Sequence, residues 1–302
     1  MSADDFGFLI ALLLSGVAIG LMYSLIALGF VLVYKATDAI NFAQGEFVMM
    51  AALIGAVVAG LDIAPALATI AAVIAVLAVM IGFGFGLERV VLRPLLGRPI
   101  VAVIMATIGL AAVLRGLTPI IFGGETRALP LPIPDDPIVI GPATLPPIQV
   151  LGAGVALLLF VGFSWFFKKS RMGVAMRAVA DNQQVAQAMG INVERYFALA
   201  WAMAGIVSAL GGIVWGSMLG VDVQIAVVGL KVFPVVILGG LDSIGGAVLG
   251  GLIVGLVESL AAGYLDPYVG GGTKDFAPYL LMIIVLMIRP YGMFGKRQIE
   301  RV

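Results

Sequence analysis

Glu46 stands in INFAQGEF (40–47), between two long apolar runs, with Asn41 and Gln44 close before it. A carboxylate and two amides at this spacing can hydrogen-bond across a helix contact, pair with a cation or line a water path. If the helix begins near Asp38, a rise of 1.5 Å per residue puts Glu46 about 12 Å along it. Thr37, Asp38 or Asn41 would then cap that helix, which accounts for Asn41 and leaves Gln44 and Glu46 without a local purpose. Asn41, Phe42, Gln44 and Glu46 are therefore read as a pathway or gate element, with hydrogen bonding between helices as the alternative. Lys231, in a short apolar run, calls for a carboxylate partner or a cavity. Asp242 and Ser243, in the glycine-rich GGLDSIGG (239–246), complete the candidate pathway group.

The chain that must position these residues has 302 residues, 62% hydrophobic and 11% charged, more apolar surface than a water-soluble core can absorb. Seventeen basic and seventeen acidic residues cancel, so no overall basic field recruits nucleic acid. Without cysteine or histidine there is no disulfide, thiol nucleophile, imidazole base or Cys/His metal site. A membrane-embedded enzyme would have to work with carboxylates, lysines and hydroxyls alone, and an enzyme is not the expectation.

The expected fold is all-α: a polytopic helical membrane protein of about 8–9 transmembrane segments with interrupted helices. Apolar runs cover 8–34, 38–60, 64–88, 99–122, 148–167, 196–219, 225–240, 243–263 and 276–290, of which 225–240 is short. Asp4 and Asp5 stand where a secretory signal needs positive charge, so 8–34 is read as a retained span. An N-terminus outside and a C-terminus in the cytoplasm place Lys35, Arg89, Arg93, Arg98, Lys168, Lys169, Arg171, Arg177, Arg195 and the arginines and lysine after 288 on the inner side. The outer loops then carry mainly aspartate, and the loop 123–147, with seven prolines, is expected to be a semi-rigid surface connector.

Two parts of the chain share an order of features. INFAQGEF is followed by two spans and Arg93-Pro94; GGLDSIGG is followed by two spans and Arg289-Pro290. Such an order is consistent with an internal repeat of the kind transporters contain. Glycines at 239, 240, 245, 246, 250, 251 and 255 suit close helix packing, and Pro234 is expected to bend its segment. The loop 168–195 interleaves apolar Val174, Met176, Val179, Val185 and Met189 with polar residues, and Gly190 sits where a helix C-cap would. This implies one or two short amphipathic helices on the cytoplasmic face, suited to a protein partner more than to lipid. No phosphate-binding glycine loop is present: GFGFG (82–86) follows no strand, and GGGTK (270–274) has the wrong spacing.

These stretches together resemble the membrane permease of branched-chain amino acid ABC importers, the LivH type. The resemblance runs through INFAQGE, ERVVLRPLLGRP, RMGVAMRA followed by AMGIN, GGLDSIGGA and RPYGMFGK, nearly the whole chain in order. It implies a single ABC-importer transmembrane domain over 1–302, with 168–195 as a cytoplasmic coupling loop. It also implies a heterodimer with a LivM-type permease subunit, two cytoplasmic ATPase subunits of LivG/LivF type, and an external or periplasmic solute-binding protein delivering a small-molecule substrate. No cofactor would be bound by this chain, ATP and Mg residing on the ATPases. The location would be a bacterial or archaeal cytoplasmic (inner) membrane. Carried over from the resemblance, Arg171, Gly173, Arg177, Ala178, Asp181, Asn182, Ala186, Gly190, Ile191 and Asn192 would contact the ATPases.

The solute implied is a branched-chain or other small neutral amino acid. Urea, amides or other small solutes on the same machinery are the alternative, and an ion-coupled secondary transporter using Glu46, Lys231 or Asp242 is a more distant one. The chain departs from the family where Gly-Ser-Ile-Pro-Gly is common: it reads Asp242, Ser243, Ile244, Gly245, Gly246, a flexible glycine in place of a rigid proline. Under this reading Asn41, Gln44 and Glu46 tie an interrupted helix to its neighbours or to the water path, and the binding protein selects the solute.

Overall fold

The structure is a computed structural model and describes residues 3–95, 98–134, 136–290 and 292–295. Among these, six helices are long and apolar enough to cross a membrane. They are α1 (Ala3–Thr37), α3 (Pro65–Leu87), α4 (Ile100–Phe122), α5 (Pro147–Lys169), α8 (Val193–Leu219) and α11 (Ile244–Tyr264). The expected segments 38–60, 225–240 and 276–290 are shorter helices. They are α2 (Gln44–Ala59), the pair α9 (Ala226–Lys231) and α10 (Phe233–Gly239), and α13 (Thr273–Ile288). The pair is broken at Val232, where Pro234 falls in the first turn of α10, the one part of a helix that tolerates a missing N–H.

The remaining helices lie in connections: α6 (Arg171–Asp181) and α7 (Gln183–Ala188) between α5 and α8, and α12 (Asp266–Val269) before α13. The proline-rich connector is not wholly extended. It contains an antiparallel hairpin of β1 (Ile138–Ile140) and β2 (Ala143–Leu145), turning through Gly141 at φ 60°. Its Arg127 exchanges both backbone hydrogen bonds with Val221.

Packing divides the chain into two compact units. The first comprises residues 1–27, 133–157 and 231–302. In it α1 and α11 meet through glycines four apart on each helix: a Cβ on Gly20 would come within 2.5 Å of the Gly251 carbonyl, and one on Gly255 within 2.3 Å of that of Gly16. Small residues at this spacing let two backbones touch, which in lipid replaces the missing hydrophobic drive for association. Ser24 Oγ donates to the Gly20 carbonyl and Ser259 Oγ to that of Leu12, so hydroxyls in the same seam are satisfied. The other face of α11 packs on α10, with Gly239 and Gly246 so close that a Cβ on either would lie about 2 Å from the other's carbonyl oxygen.

The second unit comprises residues 28–132 and 158–230. Its core is α2, α3 and α8 in mutual contact. Phe47, Phe83 and Trp201 form an aromatic cluster there, with ring centroids 5.1 and 5.9 Å from Phe47. Here too glycine sets the approach: Gly84 backs onto the Trp201 carbonyl and Gly205 onto that of Met80. After α3 the chain widens into a π turn (Glu88–Leu92), where the buried Glu88 accepts two hydrogen bonds from Arg93. Arg93 also pairs with Glu194 at 3.0 Å, tying the end of α3 to the start of α8.

Candidate functional site

The polar break of the second unit is built from residues 38–43, and α2 begins at Gln44 rather than near Asp38. The chain leaves α1 through Asp38, a non-glycine residue at φ 57°, a conformation that aspartate tolerates better than most. Asn41 does not cap α2 in the usual sense. Its Oδ1 accepts from the Ala43 N–H (3.1 Å), turning the chain just before the helix, and its Nδ2 donates to Gln44 Oε1 (3.2 Å). Gln44 Nε2 donates to Ser208 Oγ of α8 (2.9 Å), and Gly29 leaves the space that the glutamine amide fills. Asn41, Gln44 and Ser208 are all fully buried, so this relay satisfies groups that would be costly unpaired.

The break is itself embedded. The Phe42 N–H donates to Thr107 Oγ1 (3.3 Å), and Thr107 lies seven residues, about 10 Å, beyond the start of α4. Irregular backbone at that depth is tolerated only where protein or a water-filled cavity receives it. Glu46 therefore stands in the first turn of its own helix, not about 12 Å along it. It is nevertheless deep, because the loop before the helix enters the apolar zone.

Glu46 pairs with Arg115 of α4. The partners are unequally placed: the carboxylate side chain is 3% exposed and the guanidinium side chain 47%. The exposed part of the arginine opens on a cavity of about 590 Å³. Phe42, Ile108, Ala111, Ala112, Ala226 and Leu230 give it an apolar wall, while Glu46 and Arg115 are the charges on its lining. Gly45 and Gly229 form its narrow edge. A Cβ on Gly45 would meet the Ala226 carbonyl at 2.2 Å, so α2 and α9 cross backbone to backbone. Arg115 lies inside the apolar run 99–122, and no sequence pattern joins it to Glu46. The available signal was that a lone arginine and a lone glutamate in membrane segments each need a partner. Thr107 and Ser208 carried no such signal, because a hydroxyl can satisfy itself on its own helix.

The other candidates belong to the first unit and do not line this cavity. Lys231 has the carboxylate partner its position called for: Nζ donates to Asp275 Oδ1 at 2.6 Å, with side chains 34% and 56% exposed. Glu258 of α11 lies in electrostatic reach of Lys231 and accepts a hydrogen bond from the Tyr23 hydroxyl. Asp242 is half-buried in the four-residue turn Gly240–Ser243. Ser243 is the N-cap of α11, its Oγ accepting from the Gly246 N–H at 3.0 Å. The non-helical break is thus shorter than the stretch 239–246. Gly245, expected as a flexible replacement for proline, is helical and has open space where its Cβ would be.

From the end of α5, a side-chain cap starts each of the next three helices, α6, α7 and α8. Ser170 accepts from the Gly173 N–H (2.8 Å), Asn182 from Val185 (2.9 Å) and Asn192 from Arg195 (3.0 Å). Gly190, at φ 80°, closes α7: its N–H donates to the Gln187 carbonyl, and that of Ile191 to Ala186. This is the C-cap expected from the sequence, with nested bonds that only a left-handed residue permits cheaply. Gly173 lets α6 fold against the end of α5, where a Cβ would strike the Phe166 carbonyl at 2.4 Å. Met176, Val179 and Ala186 turn inward, while Arg171, Arg177, Ala178, Asp181, Asn182, Gly190 and Asn192 are exposed and Ile191 is half-buried. Apolar Val174, Val185 and Met189 share the outer surface with them.

Residues 12–286 match the family described as branched-chain amino acid transport system / permease component. The chain is 32% identical over 303 residues to the high-affinity branched-chain amino acid transport system permease protein BraD of Pseudomonas aeruginosa, covering 96% of this chain and 97% of that one. It is 30% identical over 313 residues to LivH of Escherichia coli K12, covering 99% and 100%. It is also 30% identical over 289 residues to the probable LivH of Methanocaldococcus jannaschii, covering 90% and 88%.

Proposed function

From the premise that this chain belongs to the permease-component family of branched-chain amino acid transport systems, we propose that it is one half of the membrane pathway of an ATP-driven importer. The solutes are branched-chain or other small neutral amino acids, taken into the cytoplasm through an inner membrane, and the chain hydrolyses no ATP itself. The second half is a LivM-type permease, energy comes from two LivG/LivF-type ATPases that carry ATP and Mg, and an external binding protein supplies the solute. The N-terminus lies outside and the C-terminus inside, which puts the basic loops 88–98 and 168–195 on the cytoplasmic side.

The observation that carries this reading is the loop 168–195: two capped helices, anchored by a few buried residues, with charged and apolar side chains left together on the outer surface. A segment fixed so rigidly, yet with Val174, Val185 and Met189 uncovered, is suited to receive a protein and pass on its movement. Arg171, Arg177, Ala178, Asp181, Asn182, Gly190, Ile191 and Asn192 form the contact, with Gly173 and Ala186 holding the helices in place. ATP closure of the ATPase dimer moves this loop, and the helix breaks at 38–43 and 240–243 are where the bundle yields. Asp242 and Ser243 belong to the second break, as Asn41, Phe42, Gln44 and Glu46 belong to or border the first, and Lys231 ends α9, one short helix before the second.

The test is to tag the chain, extract it gently from native membranes and identify what co-purifies by mass. Two ATPases and a second permease are expected. A chain that emerges alone and still supports uptake driven by an ion gradient overturns the proposal.

A further inference from the structure

We infer that the Glu46–Arg115 cavity is a binding site for the amino acid itself, holding the zwitterionic head group between the two charges. This deepens the reading above and rests on it. From the sequence, Glu46 is expected to gate and not to read the solute, but that expectation was formed without Arg115. The pair changes what the carboxylate can do.

The cavity has two chemically different parts. Its charged part presents one carboxylate and one guanidinium on adjacent helices, with no net charge, so a solute of net charge would leave an uncompensated ion in an apolar setting. A zwitterion fits without that penalty: its carboxylate takes the fork of Arg115 and its ammonium takes Glu46, so one ion pair becomes two. The unequal exposure of the partners suits this exchange, because the guanidinium already faces the cavity while the carboxylate waits behind it. The apolar part, from Phe42, Ile108, Ala111, Ala112 and Leu230, offers an aliphatic side chain a wall without hydrogen-bonding groups of its own. The volume of about 590 Å³ lies within the range of small-molecule sites, roughly 300–1,000 Å³. The relay Asn41–Gln44–Ser208 beneath holds the first turn of α2, and with it Glu46, in register.

The test uses the whole importer in lipid nanodiscs without its external binding protein. Binding of radiolabelled leucine is measured with two competitors: 4-methylpentanoate, which lacks the ammonium, and 3-methylbutylamine, which lacks the carboxylate. The wild type is expected to bind leucine saturably, with both analogues weaker by about 30-fold or more, the usual consequence of leaving one member of a buried charge pair without its partner. The double variant Glu46→Gln/Arg115→Gln keeps the site neutral and hydrogen-bonded, guards against misfolding, and is expected to lose that discrimination. Ala112→Leu, which fills the apolar part and spares both charges, is expected to weaken leucine more than alanine.

Absence of saturable binding, competition by either analogue as strong as that by unlabelled leucine, or discrimination unchanged in the double variant overturns the site. ATP-driven leucine uptake with the binding protein restored is measured beside it. Uptake that persists while the site fails sinks only this inference, whereas no amino-acid uptake by the wild type sinks the proposed function.

Discussion

Two stretches interrupt helices within apolar sequence, and they are made of opposite materials. The break at 38–43 is held by side chains: Thr107 and Asn41 accept from the Phe42 and Ala43 N–H groups, and Gln44 ties Asn41 to Ser208 of α8. The break at 240–243, apart from the Ser243 cap of α11, is closed by backbone contact. Gly239 and Gly246 touch across it, Gly240 turns at φ 93°, and the closing segment docks when the Met293 N–H donates to the Leu238 carbonyl (2.8 Å). The first has a charged pair and a cavity beside it; at the second, a Cβ on Gly239, Gly240 or Gly246 would already strike backbone. A break stabilised by side chains can surround a solute, while one closed by glycine is suited to pivot.

The sharpest way to break this contrast is at the charges. Arg115→Met strands the Glu46 carboxylate in a buried position, and the expected loss of stability is about 3–5 kcal/mol, read by unfolding in detergent. Glu46→Gln leaves an arginine that still faces the cavity, so the expected loss is only about 1 kcal/mol. Equal losses would mean that the two partners are equally desolvated.

At the glycine break, Gly246→Ala forces a Cβ to about 2.0 Å from the Gly239 carbonyl, and about 1–3 kcal/mol should be lost. Its neighbour sharpens the point. Gly245→Ala meets nothing within 4 Å and should gain about 0.5–1 kcal/mol, because alanine favours the helix that glycine already adopts. Lys231→Met removes a partly exposed pair and should cost about 1 kcal/mol or less in the same assay.

The smallest effect is one of pH. Thr273 donates to Asp266 from both its hydroxyl and its N–H, and these bonds hold the Asp266 carboxyl below the usual aspartate range. A depressed folded pKa contributes stability that is present above the ordinary aspartate value and lost as pH falls through the lowered one. Acidification through that window should loosen the turn between α12 and α13, measured by hydrogen exchange at residues 266–273. Thr273→Val should remove most of the pH dependence.

The apolar runs foretold the helices closely, because length and hydropathy alone decide what can sit in a bilayer. What they did not foretell was the shortening of α2, since Thr37, Asp38 and Asn41 are all cap residues and a helix could have started at any of them. The cap at Gly190 was legible because a glycine after an amphipathic run has few other reasons to be there. Between break and Arg-Pro the first part has α2 and α3, the second α11, the short α12 and α13. The difference in how the breaks are built was not legible. It depends on Ser208 and Thr107, brought from far along the chain, and on which glycines face each other. Half of the central site was visible as Glu46, Gln44 and Asn41; the other half, Arg115, appeared only when α4 was laid beside α2.

The most direct measurement exploits the absence of cysteine from this chain. Single cysteines at Ala112, on the cavity wall, and at Val113, exposed on α4 outside that lining, can be labelled with a water-soluble maleimide in the membrane-embedded importer. If the cavity is part of a solute pathway, Ala112→Cys reacts, Val113→Cys does not, and ATP changes the rate at the first. Equal inertness at both positions would mean that the cavity is sealed from water and that solutes pass elsewhere.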